Sequence, residues 1–219
     1  MSAVITVRVT ASEWVDAERA DVALRVAVDG AERAPVVARA TAAAAEVTGA
    51  LEPLTGAAVT RWSSDRIAVW AERPWNADGK QLPPVYHATI GVTARFADVE
   101  RMAEFVDRFA AVDDITVVGI TWDLTEERRT AVTAEVRRAA VRDAAEKASL
   151  YADAAGLGAV HPVAVADLGM LGDPDAGAEG AHPKAAMMAM RDAGGAPALA
   201  FTPDRIEVAA VVDARFAAD

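Results

Sequence analysis

Apolar and polar residues alternate one for one along several stretches of this chain, the signature of a strand with one buried and one wetted face. Ile5, Val7 and Val9 open the pattern, and Val22, Leu24, Val26 and Val28 then share a face opposite Arg25 and Asp29. Tyr86, Ala88, Ile90, Val92, Ala94 and Phe96 alternate with His87, Thr89, Thr93 and Arg95. Val118, Ile120, Trp122 and Leu124 repeat the pattern, and a last run goes from Ile206 to Phe216. One-faced alternation belongs to antiparallel sheets, because parallel strands covered on both sides read as unbroken apolar runs. An antiparallel or mixed sheet is expected.

Between these strands the period lengthens to that of a helix at three places. The first helix, about Ala34 to Leu51, has Pro35 in its opening turn, an alanine-rich body and a stop near Pro53. The second opens at Asp98, a predicted N-cap, and sets Val99, Met102, Val106 and Phe109 on one stripe. The third begins after Thr125 and ends at Gly156, with Val132, Val136, Ala140, Ala144, Ala148 and Tyr151 on roughly one face. The predicted order is β-β-α-β-β-α-β-α-β-loop-β, an α+β architecture read as a single domain over residues 1–219. The stretch of about 170–202 is broken by Gly172, Pro174, Gly177, Gly180, Pro183, Gly194, Gly195 and Pro197, and is expected to be a flexible loop. Within it, Met187, Met188 and Met190 form a candidate soft contact surface.

Charge and composition then exclude several classes of function. A formal charge of -11 lacks the clustered Lys and Arg that nucleic acid or anionic lipid requires, so neither partner is expected. With no cysteine there is no disulfide framework and no thiolate metal site. No window approaches the ~20 apolar residues of a bilayer span, so membrane insertion is not expected. The N-terminal residues lack a basic segment followed by an apolar one, which reads as cytoplasmic for the sequence as it stands.

Five segments, in order, resemble the SIMPL domain, a family of bacterial envelope proteins and eukaryotic signalling adaptors. They are Ala20-Asp21-Val22-Ala23-Leu24, Tyr86-His87-Ala88, Val118-Gly119-Ile120, Asp143-Ala144-Ala145-Glu146-Lys147-Ala148 with its exit Gly156-Leu157-Gly158, and Pro203-Asp204-Arg205-Ile206. The resemblance implies the α+β fold, a role in binding other proteins, and a cell-envelope location for exported members. The helix motif also has a plain structural reading. Ala144 and Ala148 place two methyl groups over one spot of the sheet, and Asp143 with Lys147 is spaced for an i,i+4 ion pair.

No constellation of reactive groups emerges from the sequence. His87, His161 and His182 show no metal-ligand spacing, and His87 reads as a solvated strand residue. The serines sit in no nucleophile elbow, and no glycine pattern forms a phosphate cradle. Asp173, Asp175 and Glu179 miss the calcium-loop pattern, since Ala178 and Lys184 stand where glycine and glutamate belong. Asp113-Asp114 and Glu126-Glu127 diverge as consecutive side chains. No catalytic residue, metal or cofactor is therefore expected. Trp62 and Trp70 read as core or cross-strand residues, whereas Trp75, between Pro74 and Asn76 at a hairpin tip, is the candidate interface anchor. The sequence reads as a non-enzymatic, self-associating protein-interaction or scaffold module that forms homo-oligomers and binds other proteins. The alternative is a small-molecule binder or hydrolase with a pocket under the 170–202 loop.

Overall fold

The computed structural model describes residues 3–171 and 201–219. Its elements are β1 (Ala3–Asp16), β2 (Arg19–Gly30), α1 (Arg33–Leu51), a short 3-10 turn (Glu52–Leu54), β3 (Val59–Ser64), β4 (Ala68–Glu72), β5 (Val85–Phe96), α2 (Val99–Ala110), β6 (Ile115–Asp123), α3 (Glu126–Ala154), β7 (Val160–Asp167) and β8 (Arg205–Ala218). This is the expected α+β order, with the stretch between the first two helices resolved into β3, β4 and β5. The chain divides into two compact units, one of residues 16–124 with 201–204, the other of residues 3–15, 125–171 and 205–219.

In the first unit the five-stranded sheet runs β3-β5-β2-β6, and β4 shares the edge of β5 with β3. Every pairing is antiparallel, and Val22, Leu24, Val26 and Val28 of β2 lie opposite Ala94, Val92, Ile90 and Ala88 of β5. These residues are buried with Val36, Ala40, Val47 and Leu51 of α1 and Met102, Phe105, Val106 and Phe109 of α2. Both helices therefore cover one face of the sheet, as its alternation requires. Phe96, Phe105 and Phe109 pack tilted against one another in the core, with ring centroids 5.3 and 4.9 Å apart. The Asp98 side chain accepts from Arg101 N at 3.0 Å, the expected cap of α2.

The second unit is a three-stranded sheet, β1-β8-β7, with α3 packed on β8 and β7. Ala144 and Ala148 are fully buried against Val7, Ala214 and Phe216, so the alanine stripe is what lets the helix lie close to the strands. Thr125 caps α3 by accepting from Arg128 N at 3.2 Å, and Gly156, at φ +69, takes the left-handed turn out of the helix. β7 pairs with β8 antiparallel and carries a bulge between Pro162 and Ala164.

Candidate functional site

Strand alternation places charge on the face of the five-stranded sheet that α1 and α2 leave uncovered. Asp21 lies opposite Arg95, and Arg19 opposite Asp123. Arg95 grips Asp21 with bonds of 2.8 and 2.5 Å, and Arg19 holds Asp123 at 2.9 and 2.7 Å. Arg95 also approaches Asp123 at 3.7 Å, joining the two pairs into one network. A carboxylate with its lone pairs committed to guanidinium is poorly placed to act as a general base. Asp114 is likewise held by Arg39 at 2.8 Å.

The same face carries an aromatic pair at its β4 end. Trp70 and His87 are register partners, and their rings stack at 5.3 Å with 20° between planes. The imidazole is mostly covered, not solvated as its sequence position suggested. Trp70 shields it, and its Nε2 lies 3.5 Å from Glu72 Oε1 without forming a hydrogen bond. His161 lies elsewhere, exposed and 3.9 Å from Asp219. His182, Asp173, Asp175, Glu179, Met187, Met188 and Met190 all lie outside the described residues, as does most of the 170–202 loop.

Trp75 sits in residues 73–84, which join β4 to β5. Asn76 builds the turn: its side-chain oxygen accepts from Asp78 N at 3.1 Å and from Lys80 N at 2.8 Å, with Gly79 at φ +72. Trp75 is 67% exposed on this ordered turn. Trp62 and Trp122, by contrast, pack partly buried against the core. Trp14, which the sequence reading passed over, is also half exposed.

In the three-stranded unit, exposed apolar side chains gather along one border. Val163, Val165, Leu168 and Met170 are 60%, 49%, 46% and 74% exposed, four large residues within eight positions of β7 and the turn beyond it. The available signal was Pro162, which marks a strand as an edge. The turn after β7 is pinned by Asp213, a buried carboxylate that accepts from Arg8 at 2.6 and 2.9 Å and from Gly169 N at 3.0 Å. Hydrogen bonds from Arg8 hold the Asp213 carboxyl below the ordinary range against the opposing effect of burial, the Gly169 amide adds to this, and the Arg8 guanidinium is raised in turn. A depression of about 220 Å³ lies beside this group, bounded by Thr6, Arg8, Gly169, Leu171, Asp213 and Arg215, as much polar as apolar. Another, of about 390 Å³, lies where Ser12 and Glu13 of β1 meet Glu135, Val136 and Arg142 of α3. Among the described residues no group of three or more His, Cys, Asp or Glu side chains could hold a metal ion, and no helix is long and apolar enough to cross a membrane.

The family model described as SIMPL, protein of unknown function (DUF541), matches residues 5–216. The chain belongs to the SIMPL family. No curated protein matches it. The segments that carry the SIMPL resemblance now have physical roles. Asp21 is the partner of Arg95, Ala88 is fully buried in the core, and Val118-Gly119 forms the bulge at which β6 shifts register against Ala23 and Leu24. The SIMPL helix motif departs from its local reading in one respect. Among the described residues Asp143 makes no ion pair with Lys147, whose ammonium instead donates to the backbone carbonyl of Arg8 at 3.0 Å and lies 6.0 Å from the Tyr151 ring.

Proposed function

We propose that this SIMPL protein is a non-enzymatic interaction module that associates with further copies of itself through the apolar border of β7 and its exit turn. The exposure of Val163, Val165, Leu168 and Met170 carries this reading, since side chains of this size left in water together mark a contact surface. Each fully covered residue of this kind would contribute roughly 1.5–3 kcal/mol. Trp75, exposed beside the Asn76 turn, is a second anchor of the kind that interfaces favour. The non-enzymatic part of the reading is supported by the ion pairs Arg95–Asp21, Arg19–Asp123 and Arg8–Asp213, in which the carboxylates serve the fold.

Light scattering across a concentration series tests the proposal. The protein is expected to run above its monomer mass of 22.8 kDa, and Val165→Ser with Met170→Ser is expected to lower that mass while leaving the circular dichroism unchanged. A strict monomer at high concentration would overturn the reading.

A further inference from the structure

We infer that Lys147 guards the outer edge of β1 against pairing with the β1 strand of a second copy. β1 ends the sheet order β1-β8-β7, so among the described residues no strand lies along its outer side. It is a hazardous edge. Its 14 residues contain neither proline nor glycine, and exposure alternates without a break from Ala3 to Asp16. Such a strand presents a row of unpaired amides and carbonyls, and long regular edges of this kind template addition of another strand. The edge is also self-complementary, because Ile5, Val7 and Val9 on one face would meet their own kind in an antiparallel pair.

Lys147 addresses this hazard. It stands one position before Ala148, on the flank of α3 next to the buried alanine stripe, and reaches the carbonyl of Arg8 near the middle of the strand. Ala17 N donates to the Asp204 carbonyl just before the β1–β8 ladder, and the Arg8 side chain lies on Asp213 in the same antiparallel register. Alternate residues from Ala17 therefore turn their backbone groups to β8, and Arg8 turns its carbonyl outward. The amide and carbonyl of one strand residue point the same way, which assigns Thr6, Arg8 and Thr10 to the outer side as well. A second β1 would have to displace the ammonium from the Arg8 carbonyl, and two copies meeting there would bring two ammonium groups together. Lysine at a strand edge is a recognised means of blocking such pairing. The inference stands apart from association through β7, which uses the opposite border of the sheet.

The test uses the full chain with Lys147→Met, which keeps the length and apolar stem and removes the donor and charge. Sedimentation is expected to show self-association about tenfold tighter than in the unsubstituted protein, equivalent to roughly 1.4 kcal/mol. Hydrogen exchange is expected to show new protection at the amides of Thr6, Arg8 and Thr10. Lys147→Arg should behave as the unsubstituted protein, and adding Thr10→Pro to Lys147→Met should abolish the gain by removing an outward amide. The inference is overturned if Lys147→Met sediments like the unsubstituted protein while remaining folded, or if its gain comes without protection in β1. A monomeric unsubstituted protein would overturn association through β7 and leave this result readable.

Discussion

Replacing Ala148 by valine puts the packing of α3 to a direct test. Ala144 and Ala148 are fully buried, and the Val7 and Phe216 side chains beneath them are 4% exposed. The substitution adds two carbons. With empty space above the strands, they would gain about 0.8 kcal/mol each from burial. With the stripe in contact, α3 must lift or a side chain must leave its rotamer, at a cost of about 1–3 kcal/mol. The lower helix propensity of valine adds roughly 0.5 kcal/mol. The expected loss is therefore about 1.5–3.5 kcal/mol. Ala131→Val, at an exposed position of the same helix, supplies the control and should lose only the propensity difference of roughly 0.5 kcal/mol. Urea unfolding followed by far-ultraviolet circular dichroism measures both. Equal midpoints for the two variants, or a gain at position 148, would refute the close-packed reading.

Two further predictions follow from the polar groups. Asp213 is held below the ordinary carboxylate range of about 3.9, so its contribution is complete above that value and lost as pH falls through its lower folded-state value. Asp213→Asn should therefore be destabilised at neutral pH, with the gap from the unsubstituted protein closing in acid; urea midpoints from neutrality to about pH 2 check this, and a pH-independent gap would contradict it. His87→Phe keeps a ring against Trp70 and removes a covered nitrogen that has no hydrogen bond, so thermal unfolding should show no loss, or a gain of about 1 kcal/mol; a loss of that size would show that the Glu72 contact matters more than its 3.5 Å length implies.

Features fixed by neighbours in sequence were legible. Alternation along Val22 to Val28 and Ala88 to Phe96 named the buried face of the sheet, and the chemistry of Asp98, Thr125 and Gly156 marked where helices begin and end. Features fixed by distant neighbours were not. The cover over His87 depends on Trp70 being its register partner, and the long connection at 73–84 leaves that register open until the sheet forms. Lys147 is similar. Its local spacing pointed to Asp143, but the edge of a strand 139 positions away offers a carbonyl, and that contact forms instead. The apolar border of β7 was hidden because local sequence does not say how a strand is covered; only the place of β7 beside β8 at the end of its sheet leaves both Val163 and Val165 exposed.

The proline and bulge in β7 limit how copies could grow together on that side. A neighbouring strand laid along it would lose step between Pro162 and Ala164, where one extra residue intervenes. Copies touching through Val163 and Val165 would thus share side chains without continuing one another's ladders. If that contact is the same patch on both copies it closes at two, whereas a ribbon that recruits by its open rim has no natural stopping point.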